Sequence, residues 1–103
     1  MTPRLEKLLK MIAAAPADAF LLYGAALEHK NSRAFTDAVA FLDRAIAADP
    51  HMCYAYYQKG QVLEETGDTD AAAAAYRVGL AVARRTGDAK AEGELSQALS
   101  IVE

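Results

Sequence analysis

Apolar residues recur every three or four positions along most of the chain, and short polar breaks separate the runs. In the first run, Leu5, Leu8, Leu9 and Ile12 share one face of a helix, and the basic residues between them fall elsewhere. No segment shows the strict alternation that is typical of a strand. Pro or Gly interrupts the pattern between most runs, and both residues commonly end helices. The pattern predicts six helices, at about residues 3–15, 17–30, 34–48, 51–66, 71–85 and 88–102.

Residues that favour helix ends occupy several of these breaks. Thr2 is suited to cap the first helix, with Pro3 in its first turn. Asn31 or Ser32 can cap the third helix. The tripeptide Thr-Gly-Asp occurs at 66–68 and again at 86–88. Its Gly suits the left-handed position after a helix, and its Asp suits the cap of the next one.

Two segments of the chain are similar to each other. Phe20 to Glu28 aligns with Tyr56 to Glu64 at an offset of 36 residues. In each segment an aromatic residue precedes a Gly by four positions, and Leu and Glu follow that Gly by three and four. Self-similarity at this period is typical of repeat proteins, whose units bury their apolar faces against one another.

The repeated residues resemble the tetratricopeptide repeat, a pair of antiparallel helices of about 34 residues. The second copy carries the pattern as Tyr56, Lys59-Gly60, Leu63, Ala72-x3-Tyr76 and Gly79. The first carries it as Phe20, Tyr23-Gly24, Leu27, Ala38-x3-Leu42, Ala45 and Pro50. This alignment gives the first copy two extra residues, which we place in the turn at 30–33. Neither copy has Trp in the aromatic position, and Arg84 stands where Pro would end the second copy.

The resemblance implies an all-α fold, a superhelix of antiparallel helix hairpins with about six helices. We expect residues 1–103 to form one domain. It would consist of an N-terminal helix at 3–15, repeats at 17–50 and 51–86, and a C-terminal capping helix at 88–103. Gly24 and Gly60 would lie inside helices, where Gly costs about 1 kcal/mol relative to Ala. We therefore expect each of them to admit the paired helix closely, opposite Ala38 or Ala72.

The resemblance also implies that the first helix of each pair lines a concave groove. We take Phe20, Gly24, Leu27 and their counterparts Tyr56, Gly60 and Leu63 as the packed face. The neighbouring stripe then supplies the candidate partner-binding residues, which are Leu21, Ala25, Glu28, Tyr54, Tyr57, Gln58, Gln61 and Glu64. Alternatively, Leu21 and Leu22 pack on the N-terminal helix, and the glutamates form a solvated edge.

The predicted function is a non-catalytic scaffold or adaptor that binds a peptide segment of another protein in this groove. The net charge of −3 argues against nucleic acid as a partner. The acidic end of the groove favours a partner that bears Lys or Arg. The alternative is a structural homo-oligomer such as a homodimer, formed through the N-terminal stripe or the last helix, or an accessory subunit of a larger complex.

Residues suited to chemistry are sparse. His29 and His51 are the only histidines, and His51 with Cys53 offers two potential ligands, fewer than a zinc site needs. Asp68 and Asp70 lack the further oxygen ligands of a calcium loop. No nucleophile is paired with a base, so we expect neither catalysis nor a cofactor. The charged N-terminus does not resemble a signal peptide, and no apolar run is long enough to cross a membrane. Together with the single Cys, this predicts a soluble, cytoplasmic protein.

Overall fold

The computed structural model describes all 103 residues, which form six α-helices and no strand. The helices are α1 (Pro3–Ala14), α2 (Ala19–Asn31), α3 (Phe35–Ala48), α4 (Cys53–Glu65), α5 (Thr69–Thr86) and α6 (Ala89–Val102). Each helix packs against its neighbours in the chain, and α4 also touches α6. The all-α fold of helix hairpins predicted from the sequence is therefore confirmed.

Side-chain caps fix the starts of most of these helices. The Thr2 hydroxyl accepts a hydrogen bond from the backbone N–H of Leu5 at 3.1 Å. Asp68 caps α5 and Asp88 caps α6 in the same way. Gly67 and Gly87 adopt the left-handed conformation, with φ of 83° and 73°. The predicted roles of Thr2 and of both Thr-Gly-Asp turns are confirmed.

The cap predicted for α3 is wrong. Asn31 is the last residue of α2 and Ser32 is its C-cap, so neither reaches the start of α3. The N-cap of α3 is Ala34, which has no side-chain acceptor. Arg33 makes the intervening reversal with φ of 60°, the left-handed conformation that Gly67 adopts in the later turn. The chain therefore uses a strained, uncapped turn where the second hairpin uses Gly and Asp.

The spacing of the helices corrects the alignment of the two hairpins. Helix α4 begins 34 residues after α2 (53 against 19), and α5 begins 34 residues after α3 (69 against 35). The turn at 30–33 thus has no two-residue insertion. Leu22 and Ala26, both buried, occupy the positions of Tyr56 and Gly60. Phe20, expected on the packed face, is 81% exposed.

The two mid-helix glycines have different surroundings. A Cβ atom at Gly60 would overlap the ring of Tyr76 on the paired helix α5. The expected close approach is therefore correct for Gly60, although its neighbour is Tyr76 rather than Ala72. A Cβ atom at Gly24 would meet only the Leu8 side chain of α1, at an ordinary 3.5 Å. The expected approach of α3 to Gly24 is wrong, because the corrected register turns this residue away from α3.

The apolar core runs through all six helices. At the N-terminal end, Leu5 and Ile12 of α1 pack with Leu22 of α2. At the C-terminal end, Tyr76 and Leu95 belong to the largest buried cluster, which joins α4, α5 and α6. The apolar stripes of α1 and α6 thus cover the two open ends of the hairpin pair, while α2, α4 and α6 keep a common face partly exposed.

Candidate partner-binding face

Five predicted residues of α4 lie together on one side of that helix. Tyr54, Tyr57, Gln58, Gln61 and Glu64 are all partly exposed. They continue onto exposed residues of α2 on one side and of α6 on the other. We call this surface the inner face; it consists of Phe20, Tyr23, Lys30, Tyr54, Tyr57, Gln58, Gln61, Glu64, Glu94, Gln97 and Ile101.

On the α2 side, Gln58 connects the two hairpins. Its Oε1 accepts a hydrogen bond of 2.8 Å from Lys30 Nζ. Burial raises the pKa of the Tyr23 hydroxyl, and a hydrogen bond with Gln58 opposes part of that rise. Phe20 and Tyr23 also line a pocket of about 400 Å³ with Tyr54, at the start of these helices. This end of the inner face combines aromatic rings with the carboxylates of Asp49 and Asp88.

Tyr76 extends from the core to the inner face. It belongs to α5 and is fully buried, yet its hydroxyl accepts a 2.6 Å hydrogen bond from Gln61 Nε2 and donates one to Glu64. Burial and then the bond to Glu64 raise the pKa of Tyr76. The absent side chain at Gly60 leaves room for this ring. Two surface residues of α4 are thereby held in fixed positions by a core tyrosine.

On the α6 side, an open pocket of about 310 Å³ separates α4 from α6. Tyr57, Gln61 and Glu64 form one wall, and Glu94, Gln97 and Ile101 form most of the other. The rings of Tyr54 and Tyr57 meet edge to face, with centroids 6.2 Å apart. Desolvation and the nearby carboxylates of Glu94 and Asp88 raise the pKa of Tyr54. This end of the inner face is polar and acidic.

The three predicted residues of α2 do not join this face. Ala25 is fully buried, and Leu21 packs against the cluster formed with α1. The Glu28 carboxylate binds Arg4 Nε at 3.1 Å and accepts a bond from the Thr2 hydroxyl. The alternative, in which Leu21 and Leu22 pack on the N-terminal helix, matches the structure. Shifting the alignment by two residues rotates the assigned faces of a helix by about 200°. The offset of 36 residues therefore assigned the buried face of α2 to the groove and its exposed face to the core.

The sequence reasoning missed the inner-face residues that α2 and α6 contribute. These are Phe20, Tyr23, Lys30, Glu94, Gln97 and Ile101. A signal for those of α2 was present, because Ala38-x3-Leu42 and Ala72-x3-Tyr76 repeat at an offset of 34. An alignment based on these second-helix positions, rather than on the aromatic residue and Gly of the first helices, pairs Tyr23 with Tyr57. For α6 no repeated motif was available.

Groups that could bind a metal do not converge anywhere in the structure. No cluster of three or more His, Cys, Asp or Glu side chains is placed to hold an ion. His29 stacks on Phe41, with ring centroids 5.2 Å apart, and the Cys53 thiol donates to the backbone oxygen of His51. None of the six helices has both the length and the apolar character that crossing a membrane requires.

Known proteins share both this fold and part of the sequence. The tetratricopeptide repeat profile matches residues 54–84. A tetratricopeptide repeat domain protein from Salinibacter ruber, solved in solution, is 33% identical, with 85% of this chain and 89% of that one aligned and a TM-score of 0.80. A protein from Bordetella parapertussis is 27% identical over 99% and 89% of the two chains, with a TM-score of 0.84.

The fold also matches a domain solved with a ligand. The TPR2B domain of yeast Sti1, in a complex with pHsp70, is 20% identical over 95% of this chain and 78% of that one, with a TM-score of 0.89. No curated protein matches the chain. The helix hairpins, the repeat profile and the identity to the Salinibacter ruber domain agree, and the chain belongs to the tetratricopeptide repeat family.

Proposed function

We propose that this chain is a scaffold or adaptor that binds a peptide segment of another protein along the inner face. Tetratricopeptide domains are typically non-catalytic interaction modules, which supports this class of function. The observation that carries the proposal is that hydrogen bonds within the protein already fix several side chains of the inner face before a ligand binds. Lys30 and Gln58 bond across the hairpins, and Tyr76 bonds Gln61 and Glu64 from the core. Binding to such a surface loses little side-chain entropy.

The chemical character of the inner face suits an extended or helical peptide. Three aromatic side chains line the pocket at the α2 end, together with the carboxylates of Asp49 and Asp88, and amide and carboxylate groups dominate the α6 end. Aromatic rings supply contact area at low entropic cost, and the polar groups fix the register of a bound segment. The Sti1 domain, solved with pHsp70, supports a protein or peptide ligand in general terms.

The homodimer alternative receives less support. Its N-terminal stripe includes Leu5 and Ile12, which are already buried against α2. An interface between copies would then have to form through the last helix, where Ile101 is 72% exposed, or through other residues. A cytoplasmic location remains a prediction.

Co-purification from the native cell with matched variants tests the proposal. Tyr57→Glu places a charge in the middle of the inner face, whereas Val78→Glu places one on α5, where the side chain is 50% exposed and lies outside the inner face. We expect Tyr57→Glu to lose the partner and Val78→Glu to retain it, with both variants folded by circular dichroism.

Two results would contradict the proposal. One is a partner that both folded variants retain. The other is a light-scattering mass of a dimer at tens of micromolar for the wild type, reduced to a monomer by Tyr57→Glu, which would assign the inner face to self-association.

A further inference from the structure

The pocket between α4 and α6 carries negative charge without any basic residue. Glu64 lies on its α4 wall and Glu94 on its α6 wall, and no Lys or Arg lines it. The remaining lining combines polar amides with an aromatic ring, Tyr57, and an apolar side chain, Ile101. Its volume of about 310 Å³ is sufficient for one long side chain.

Ten of the fourteen acidic side chains form no ion pair, and of those ten only Asp49, Glu64, Asp88 and Glu94 are partly buried. Asp49 and Asp88 accept hydrogen bonds from nearby backbone N–H groups. The four ion pairs of the structure use Glu28, Asp43, Glu92 and Glu103, each with its own Arg or Lys. Glu64 and Glu94 take part in none of them, although both are partly buried. Partial burial reduces screening by water, so an unpaired carboxylate there attracts a cation more strongly than an exposed one does.

The neutral part of the pocket suits the rest of a basic side chain. The Tyr57 ring is held against Tyr54 and Tyr76, with centroid distances of 6.2 and 6.1 Å. An aromatic face attracts a cation placed over it. Ile101 is 72% exposed at the rim and offers contact to the methylene groups of a long side chain.

We infer that this pocket receives a Lys or Arg side chain of the bound peptide, with its cation between Glu64 and Glu94 and its methylene groups along Tyr57 and Ile101. The inference rests on the proposed peptide-binding function and names the chemistry of the ligand. A peptide with a basic residue next to apolar ones would use this pocket and the α2 end of the inner face together.

Selection of random 12-residue peptides displayed on phage against the full chain tests the inference. We expect the enriched peptides to share a Lys or Arg flanked by apolar residues. The double variant Glu64→Gln/Glu94→Gln should weaken the best peptide about tenfold. The control Asp43→Asn/Glu92→Gln makes the same change in net charge outside the pocket and should stay within about twofold. Thermal melts establish that both double variants are folded.

A second arm leaves the protein unchanged. In the best peptide, Lys is replaced by norleucine or Arg by citrulline, and wild-type affinity should again fall about tenfold. Added salt should weaken the original peptide and have little effect on the neutral one.

The outcomes separate this inference from the proposed function. Enriched peptides without a basic residue, whose binding is lost in Tyr57→Glu but unchanged in Glu64→Gln/Glu94→Gln, would overturn the inference and leave the proposed function intact. Equal loss in both double variants would also overturn it, because general charge would then explain the effect. If no peptide is enriched, or if binding is insensitive to Tyr57→Glu, the proposed function fails and the inference fails with it.

Discussion

At the scale of single residues, the structure predicts that replacing helical glycines by Ala has opposite effects on stability at Gly60 and at Gly93. Gly60 faces the Tyr76 ring with no space for a methyl group, whereas a methyl group at Gly93 in α6 would extend into open space. Gly60→Ala should lower the free energy of unfolding by about 1–3 kcal/mol through overpacking. Gly93→Ala should raise it by about 1 kcal/mol through helix propensity. Denaturant unfolding of both variants measures the two values.

Gly24→Ala tests the alignment of the two hairpins. A methyl group there meets the Leu8 side chain at an ordinary distance, so this variant should resemble Gly93→Ala. If Gly24→Ala and Gly60→Ala destabilised the protein equally, the two glycines would be equivalent, and the offset of 34 residues between the hairpins would be wrong.

Tyr76 gives a prediction for alkaline pH. Burial and its bond to Glu64 raise its pKa in the folded protein above the ordinary value of 10.0. The unfolded chain therefore releases this proton first, and the stabilising contribution, complete below pH 10, is lost as the pH rises further. Wild type should lose stability above pH 10 more steeply than Tyr76→Phe, by up to about 1.4 kcal/mol per pH unit. Parallel curves from chemical unfolding at pH 9–11 would contradict the assignment.

At the scale of elements, the start of α3 lacks the side-chain cap that stabilises the equivalent start of α5. Ala34 and Asp68 are equivalent N-caps with similar backbone angles, −86° and 71° against −94° and 77°. Only Asp68 supplies an acceptor. Ala34→Asp should therefore stabilise the protein by about 1 kcal/mol, and Asp68→Ala should destabilise it by a similar amount. Melting temperatures should move in opposite directions by about 4–8 °C.

Ala34→Asn separates capping from charge in that experiment. It offers the same acceptor to the backbone N–H three residues later without a carboxylate beside Asp37. If Asn has no effect while Asp stabilises, the gain comes from the helix dipole rather than from the cap hydrogen bond.

The sequence predicted where each helix begins and ends far better than it predicted which face of a helix is buried. Every helix end lies within two residues of its predicted position, because Pro, Gly and Asp impose local geometry that needs no tertiary contact. The orientation of α2 was wrong because Phe20 and Tyr23 imitate the packed aromatic position of the second hairpin. Contacts with α1 bury Leu22 and Ala25 and fix the face of α2, in agreement with the 34-residue offset of the second helices.

At the scale of the whole molecule, the sequence predicted the part of the inner face that α4 contributes, because only α4 carries the repeat motif in the correct register. The stripe of α4 followed from Tyr56 and Gly60, whose positions in the repeat were correct. The α6 wall of the acidic pocket could not be predicted, since α6 lacks the repeat signature and its place beside α4 depends on the packing of α5. The sequence therefore predicted only the α4 wall of the pocket, and long-range packing adds the α6 wall.

The central claim is that ligands bind the face shared by α2, α4 and α6. Its most direct test is an amide chemical-shift titration of the ¹⁵N-labelled chain with the peptide enriched in the selection above. We predict that the shifted amides cluster around Tyr23, Tyr57, Gln61 and Gln97. Shifts concentrated on the outer surface of α3 and α5, around Asp43 and Val78, would contradict the account.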